Sequence, residues 1–387
     1  MKIGLWKKGF VIGIIWLFVG AGVLPSMGGI AVKKESNYPI SKGNTIYVGG
    51  TGPNNYTKIQ DAINDTSDGD TIFVYDDSAP YRENLVVNKS INLIGEDRNT
   101  TTIDGRRIGH VVNISADYVT FEGFTVQKSK YLHAGIELLS DNNIITDNNI
   151  IMNCYGIHCD HSYYNDIKHN NIDQNSFFGI KFEWGRYNNI SYNNVTNSDD
   201  DGIRFMDSSK FNVIYNNLIS SNDAGICFWN SNNNTISENN IHQNHQGIHF
   251  YKSCMNIIYK NNVTSSSSNG IHIYWDSNNN KIYLNNIIDN KKNAHDTVKN
   301  QWDDGEKGNY WSDYKSQNPF AYKIKNKGIW SKPYKIPDGS NKDRYPLIWE
   351  WPNSKPRTLV MNTPSYSYYL LRLLEHFPLL EKLLSLI

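Results

Sequence analysis

The central part of the chain repeats one pattern of apolar and polar positions every 22 to 23 residues. The dipeptide Gly-Ile marks each repeat, at Gly135, Gly156, Gly179, Gly202, Gly225, Gly247 and Gly270. Each repeat holds three apolar stretches of two to four residues, which alternate with polar residues and are separated by Asn, Ser, Asp or Gly. Short alternating stretches of this kind predict strands and turns rather than helices.

The same period aligns the apolar positions into columns. In the first stretch, we expect the residues one and three positions after Gly to point inward. The inward column of the second stretch is predicted as Ile145, Ile167, Ile190, Val213, Ile236, Ile258 and Ile282. That of the third stretch is predicted as Ile150, Ile172, Val195, Leu218, Ile241, Val263 and Ile287. Stacking each strand about 4.8 Å above its counterpart gives an all-β fold, a right-handed single-stranded parallel β-helix with 22 to 23 residues per rung.

Asn and Gly mark the predicted corners of this solenoid. The second Asn of each Asn-Asn-apolar triplet keeps the period, at Asn149, Asn171, Asn194, Asn217, Asn240, Asn262 and Asn286, with Asn309 one step further. We expect Gly to supply a positive φ or a close approach at one corner, and Asn to supply a left-handed corner and a ladder of stacked amides. Upstream, Ile59, Ala62 and Ile63 at helical spacing predict a short helix that covers the first rung. The predicted β-helix spans residues 44–311, with this N-terminal cap and an irregular C-terminal cap over residues 312–351.

Composition and charge narrow the choice of function. The chain has 53 Asn, which is a weak helix former, so neither a helical bundle nor a disordered tail fits. The chain has 38 Lys and Arg and 38 Asp and Glu, so it has no net positive charge to attract the phosphate backbone of a nucleic acid. We therefore expect no nucleic-acid partner. The four cysteines lack metal-finger spacing and could form two disulfides, too few to frame so long a chain.

Both ends of the chain carry segments outside the repeat. Residues 1–29 combine Lys2, Lys7 and Lys8 with an apolar run over residues 10–23, which predicts a signal peptide, with an uncleaved N-terminal anchor as the alternative. Nine Asn-x-Ser/Thr sequons fit an exported, extracellular or cell-surface glycoprotein. Residues 352–387 form a linker and a Leu-rich amphipathic tail, which either docks on its own domain or reaches a partner or surface. Either end could associate the protein with a membrane or a surface layer.

Several segments together resemble archaeal NosD-like β-helix proteins. They are IQDAINDTSDGDTIFV, YRENLVVNKSINLIGE, the Gly-Ile and Asn-Asn-Ile rungs, and the terminal GNYWSDY and PYKIPDGSNKDRYPLI, which together span about residues 44–350. The resemblance implies a pectate-lyase-like solenoid with a carbohydrate-binding or sugar-hydrolysis repeat. The family is named after a periplasmic protein associated with copper-site assembly of nitrous oxide reductase. Because one β-helix hosts lyases, hydrolases, epimerases and binding proteins, the resemblance implies the fold more directly than the function.

The predicted outward residues of the Gly-Ile stretch are typical of a glycan-binding surface. Two positions after Gly, they are Glu137, His158, Lys181, Arg204, Cys227, His249 and His272. Flat aromatic rings with interleaved polar groups suit sugar rings and hydroxyls, whereas isolated exposed aromatics are common on any surface. The leading hypothesis is a secreted or cell-surface protein that binds polysaccharide or a cell-surface glycan. The candidate carbohydrate-binding residues are Trp184, Trp229, Tyr251, Tyr274 and Trp275.

A catalytic alternative uses Asp160 and Glu183, which occupy equivalent positions on consecutive rungs, with Lys181 and Arg204 beside them. The two carboxylates could act as acid and nucleophile, or bind Ca²⁺ while a basic side chain abstracts a proton from a sugar acid. The protein would then be a polysaccharide lyase, a glycoside hydrolase or a uronate epimerase. Simple salt bridges to Lys and Arg are the structural alternative. A second stack consists of Asp200, Asp223 and His245.

A metal-binding alternative uses Cys227, His249 and His272, which follow one another in the first outward column. Cu or Zn accepts such donors, and a copper site would suit a NosD-like periplasmic copper-binding accessory protein. Backbones two rungs apart are separated by about 9.6 Å, which weighs against one shared ion. No cofactor is certain from the sequence, and Ca²⁺ and Cu are the candidates.

Overall fold

The structure, a computed structural model, describes residues 43–352, so the predicted signal or anchor segment and the tail beyond residue 352 lie outside the described residues. The chain winds into a right-handed parallel β-helix, as the repeat predicts. Each regular turn passes through a first, a second and a third sheet in that order, and every strand pairs with the equivalent strand one turn away.

The three sheets contain 11, 10 and 10 strands. The first sheet consists of Thr45–Val48, Thr71–Val74, Asn92–Gly95, Thr120–Glu122, Ile144–Thr146, Asp166–Lys168, Asn189–Ser191, Val213–Tyr215, Thr235–Ser237, Ile257–Tyr259 and Lys281–Tyr283. The second consists of Thr102–Asp104, Thr125–Gln127, Asn149–Ile151, Asn171–Asp173, Asn194–Thr196, Leu218–Ser220, Asn240–His242, Asn262–Thr264, Asn286–Ile288 and Tyr310–Trp311. The third consists of Leu85–Val87, Val112–Ile114, Ala134–Leu138, Tyr155–Asp160, Ile180–Glu183, Ile203–Met206, Ala224–Trp229, Gln246–Tyr251, Asn269–Tyr274 and Lys292–Asp296.

The interior is a column of apolar side chains from all three sheets. Four phenylalanines of the third sheet stack on consecutive turns with nearly parallel planes and ring centroids 4.8, 4.9 and 5.1 Å apart; they are Phe182, Phe205, Phe228 and Phe250. Isoleucines from the other two sheets fill the space around them, and all of these side chains are buried. Burial of this apolar surface is the main stabilising contribution, at roughly 25 cal/mol per Å².

Two predicted inward positions are wrong by one residue. The pairs in the structure are Ile190 with Ile214 and Val195 with Ile219. Val213 and Leu218 therefore face outward. The cause is one extra residue between Gly202 and the next buried Asn, Asn212, compared with the neighbouring turns. This segment contains two consecutive left-handed residues, Asp207 and Ser208. Asn217 shifts in the same way, into a buried column.

Buried Asn side chains form a ladder at each corner of the solenoid. Between the first and second sheets, the ladder is Asn148, Asn170, Asn193, Asn217, Asn239, Asn261, Asn285 and Asn309. At Asn193, Oδ1 accepts the backbone N–H of Asn170 at 3.0 Å, while Nδ2 donates to the carbonyl of Ile167 at 2.8 Å and to Oδ1 of Asn217 at 3.1 Å. Stacked amides therefore occur at this corner as predicted, but they belong mostly to the first Asn of each Asn-Asn pair, and only Asn217 and Asn309 of the predicted column take part. The ladder satisfies buried backbone groups where the chain turns.

The backbone conformations of the repeated Gly and Asn residues differ from those predicted. The seven repeated glycines have no positive φ, and they serve close approach, since a Cβ on Gly179 would lie 2.6 Å from the carbonyl oxygen of Gly202. Left-handed φ values belong to the residues that precede the ladder, which are Asp147, His169, Tyr192, Asn216, Glu238, Lys260 and Leu284. The ladder Asn residues thus act through their amides rather than through a left-handed backbone.

Caps cover both ends of the core. The helix Ile59–Asp65 buries the predicted Ile59, Ala62 and Ile63 against the first turn. The C-terminal cap contains the helix Tyr314–Gln317 and two hairpins, Lys323–Ile324 with Ile329–Trp330 and Tyr334–Lys335 with Lys342–Asp343. Tyr334 of this cap and Trp311 of the last second-sheet strand are buried and stack with centroids 4.0 Å apart. Neither helix in residues 43–352 is long and apolar enough to cross a membrane.

Candidate functional site

Three columns of side chains cover the outer surface of the third sheet. Together with Trp184 and Trp275, which directly follow the outer column, we call this surface the third-sheet face. The first column, one position before Gly, is Ala134, Tyr155, Phe178, Asp201, Ala224, Gln246, Asn269 and Lys292. The central column is Glu137, His158, Lys181, Arg204, Cys227, His249, His272 and His295. The outer column is Asp160, Glu183, Met206, Trp229, Tyr251 and Tyr274. Their register follows the period in the sequence.

The N-terminal half of the third-sheet face is a network of ion pairs centred on His158. Its Nδ1 lies 3.0 Å from Oε2 of Glu137, and its Nε2 lies 2.9 Å from Oε2 of Glu183. The other oxygen of Glu183 lies 2.9 Å from Nζ of Lys181, and His110 Nδ1 lies 3.1 Å from Glu137. Both His158 ring nitrogens therefore face carboxylates, which requires a doubly protonated imidazolium to donate at both ends.

The charges in this network are fixed near neutral pH. Burial opposes the charge on His158, but its bonds to Glu137 and Glu183 outweigh that effect and raise its pKa to about 9. Burial also opposes ionisation of Glu137, yet hydrogen bonds from His110 and His158 lower its pKa to about 2. The hydrogen bond from His158, together with Lys181 and against the effect of burial, lowers the pKa of Glu183 to about 2. Glu183 is thus an ionised carboxylate that holds no proton to donate.

Arg204 and Asp201 form a second ion pair near the middle of the third-sheet face. Arg204 Nη1 donates to Asp201 Oδ2 at 2.7 Å, and its guanidinium carbon lies 5.1 Å from the Phe178 ring centroid and 5.5 Å from that of Trp229. Burial raises the pKa of Asp201 to about 6 although Arg204 opposes the shift. The carboxylates of Asp200, Asp201 and Asp223 offer oxygens within 4.8 Å of one another, while His245 bonds to Asp223 at 2.9 Å.

The C-terminal half of the third-sheet face is aromatic. Trp229 and Tyr251 have ring centroids 4.0 Å apart with planes tilted by 30°, Tyr251 and Tyr274 pack edge to face at 5.5 Å, and Trp275 lies 6.2 Å from Tyr251 at 47°. Trp229 and Trp275 are each tilted against Tyr251 rather than stacked on it, whereas Tyr274 stacks on the rings of His272 at 4.6 Å and His249 at 5.3 Å. Trp275 is 62% exposed and Trp184, on the ionic half, is 41% exposed and stacks on His161.

The three predicted metal donors do not converge on one point. Cys227 Sγ lies 3.7 Å from His249 Nδ1, so this pair is close. His272 instead stacks 5.2 Å from the His249 ring and bonds through Nδ1 to Gln246 at 2.6 Å. Burial lowers the pKa of both histidines to about 4, and burial together with Asp201 raises the pKa of the Cys227 thiol. All four cysteines are free thiols in the structure, so the two disulfides that their number allows are not formed.

The four predicted catalytic residues fall into three separate groups, and only Lys181 and Glu183 share one. Asp160 and Glu183 are register partners, but the Asp160 carboxylate bonds to His161 at 2.7 Å while Glu183 faces His158 and Lys181. Arg204 pairs with Asp201 rather than with either of them. A joint catalytic role for Asp160, Glu183, Lys181 and Arg204 stays a prediction. Because Glu183 is ionised, it could act in such a role only as a base or a nucleophile.

Sequence reasoning missed the first column and the end of the central one. Tyr155, Phe178 and Asp201 carry no shared residue type, so the period gave no signal for a functional column before Gly. His295 went unrecognised because Asn293 stands where Gly marks the other turns. The central position of His158 depends on side-chain pairing across three strands, although its column was predicted.

The chain is similar to several known proteins. The family described as periplasmic copper-binding protein (NosD) matches residues 140–316. The Dettilon tailspike protein is 16% identical with a TM-score of 0.52, covering 69% of this chain and 64% of its own. XylC, solved in complex with xylose, is 11% identical with a TM-score of 0.51, covering 64% of this chain and 70% of its own. Pectate lyase Pel9A is 17% identical with a TM-score of 0.49, covering 69% and 82%. No curated protein sequence matches the chain.

Over residues 140–316, a little under half of its length, this chain therefore resembles the NosD family, and its fold is the NosD-like parallel β-helix that its rungs predicted. The description of the matched family gives it a periplasmic location. Because the Dettilon tailspike protein and XylC are only 16% and 11% identical to this chain, the similarity to them shows the fold alone. The archaeal part of the resemblance stays a prediction.

Proposed function

We propose that this protein is exported and binds a polysaccharide that lies along the third-sheet face. The observation that supports this most strongly is the run of tilted aromatic rings formed by Trp229, Tyr251, Tyr274 and Trp275 beside a column of polar side chains. Ring faces pack against the apolar C–H surfaces of sugars, and neighbouring polar groups bind hydroxyls. The predicted signal segment and the periplasmic family support a location outside the cytoplasm.

The solenoid gives this surface a geometry that suits a polymer. Equivalent side chains recur on each turn, about 4.8 Å apart, so an extended chain can make similar contacts repeatedly. His249 and His272 are neutral at pH 7 because burial lowers their pKa to about 4, so this half of the third-sheet face binds through hydrogen bonds and ring contacts rather than charge. Many weak contacts along one chain add up to useful affinity.

Binding to immobilised polysaccharides tests the proposal. Polygalacturonate and xylan represent an acidic and a neutral polymer, and we expect retention of the full chain on at least one. Replacement of Trp229 and Trp275 by Ala should weaken retention about tenfold or more, since loss of a buried aromatic contact costs on the order of 2 kcal/mol. Phe320→Ala is the matched control, because Phe320 is 86% exposed on the C-terminal cap. Equal losses in both variants, or none, would reject the proposed surface.

The same binders should be checked for cleavage or epimerisation. Product formation that disappears in Glu183→Gln and Asp201→Asn would assign lyase, hydrolase or epimerase chemistry to the ionic half. Binding without product would leave a binding protein.

A second candidate function is copper binding, favoured by the contact between Cys227 and His249. Their 3.7 Å separation suits joint ligation, given metal–sulfur and metal–nitrogen bonds of about 2.3 and 2.0 Å. Cu(I) would be held by the Cys227 thiolate and His249 Nδ1, and its binding must release the thiol proton that burial retains. Cu(I) competition with a chromogenic chelator should show one site that Cys227→Ser removes and Cys254→Ser leaves intact. Equal copper uptake by both variants would exclude this pair.

A further inference from the structure

A short segment of the C-terminal cap, Pro337–Gly339, crosses the end of the third-sheet face. The Asp338 carboxylate accepts hydrogen bonds from Lys292 Nζ and, at 2.6 Å, from His295 Nδ1. The Asp296 N–H donates to the Pro337 carbonyl at 3.3 Å. Gly339 approaches Asp296 and Thr297 so closely that a Cβ there would collide with the Asp296 carbonyl.

This segment reaches all three columns. Lys292 is the last residue of the first column, and His295 is the last residue of the central column. Thr297 follows the last strand and lies where the next residue of the outer column would be. A polysaccharide that follows the aromatic rings toward the C-terminal end therefore meets backbone and an ion-paired carboxylate instead of another turn. The third-sheet face is closed at this end.

A cavity of about 340 Å³ lies beside the closing segment. Its walls include Asp289, Lys291, Lys292, Ser312, Asp313 and Tyr334, with Pro337 from the segment itself. Lys292 thus belongs both to the third-sheet face and to the cavity wall. Hydrogen bonds from Asn293 at 2.7 Å and from the Tyr334 hydroxyl at 2.9 Å fix the carboxylate of Asp313.

The cavity has the size and polarity of a site for one sugar unit. Its volume is at the low end of the roughly 300–1,000 Å³ of small-molecule sites, too small for a length of polymer. Two lysines and two aspartates balance its charge, and hydroxyl, carboxylate and ammonium groups line it. Such a lining suits the hydroxyls of a neutral sugar unit.

We infer that the protein binds the end of a polysaccharide chain, with the terminal sugar in this cavity at the first-column edge of the third sheet. The following sugars cross the columns from Lys292 towards the aromatic rings of the outer column. The inference rests on the proposed function and adds to it which part of the polymer is recognised. Lys291 is the side chain to test, because it is exposed on the cavity wall and its replacement leaves the core unchanged.

Binding stoichiometry against chain length tests the inference. Size-fractionated xylan and polygalacturonate, titrated calorimetrically into the full chain, should bind a number of protein molecules per polymer that stays constant as the polymer lengthens. Lys291→Ala should weaken binding of the shortest fractions about fivefold or more. Lys299→Ala, an exposed lysine outside the cavity, should leave it unchanged.

The outcomes separate the two proposals. A stoichiometry that rises in proportion to chain length would overturn recognition of chain ends while leaving polysaccharide binding in place. Equal behaviour of Lys291→Ala and Lys299→Ala would overturn the assignment of the terminal sugar to the cavity. Absence of binding to every fraction would reject the proposed function and this inference with it.

Discussion

At the scale of single residues, pairing decides what the third-sheet face can do. His158 lies between Glu137 and Glu183, and all three are held ionised around neutral pH. The columns of these residues follow from the sequence period, because alternation along a strand fixes which side chains face outward. The bonding partners of these residues do not follow from the sequence period. Each long side chain can reach several neighbours, and only packing in the folded protein selects among them. The predicted Asp160–Glu183 pair shows this, since its members share a register and yet bond elsewhere.

The His158 network predicts a specific dependence of stability on pH. Because the folded pKa of about 9 exceeds the ordinary 6.5, its contribution is fully present below pH 6.5 and is lost as the pH rises through 9. His158→Asn should lower the free energy of unfolding at pH 6 by on the order of 2 kcal/mol and flatten its decline toward pH 9.

Urea unfolding at pH 6 and pH 9 measures this effect. His161→Asn is the matched control, because His161 pairs with Asp160 on an exposed corner, where ion pairs contribute little. Parallel pH profiles for wild type and His158→Asn would contradict the account of the network.

At the scale of elements, the corners of the solenoid depend on buried amides. Each ladder Asn uses its oxygen to accept a backbone N–H and its Nδ2 to donate to a carbonyl and to the next amide. The sequence predicts these ladders from the recurrence of Asn, but it cannot place every member. The extra residue near Asp207 and Ser208 shifts Asn217, Val213 and Leu218 by one position, because the Gly-to-Gly spacing hides an insertion that a later, shorter segment compensates.

Replacing one ladder amide by a carboxylate should be costly. Asn193→Asp keeps the shape of the side chain but sets a carboxylate against the Ile167 carbonyl and Oδ1 of Asn217, which accept from the amide in the native protein. We expect a loss of about 3 kcal/mol or more in the free energy of unfolding. Asn230→Asp, at an exposed corner, should change it by less than about 0.5 kcal/mol. Urea denaturation of both variants makes the comparison, and similar midpoints would contradict a structural role for the ladder.

At the scale of the whole molecule, a regular solenoid presents one long face that its C-terminal cap closes. The architecture is predictable from the sequence, because each turn contacts mainly its neighbours and repeats the same residues. The closing segment is not predictable in this way, because Asp338 bonds to Lys292 and His295 across more than 40 residues of irregular chain. The cavity beside it arises from the same non-local contacts.

Oxidative footprinting of tryptophans, with and without a saturating polysaccharide, tests the central claim on the unmodified protein. The account predicts that binding protects Trp275, Trp229 and Trp184 on the third-sheet face. Trp349, which is 57% exposed on the C-terminal cap and outside that face, should react equally in both states. Protection of Trp349 with unchanged reactivity of Trp275 and Trp229 would contradict polysaccharide binding by the third-sheet face.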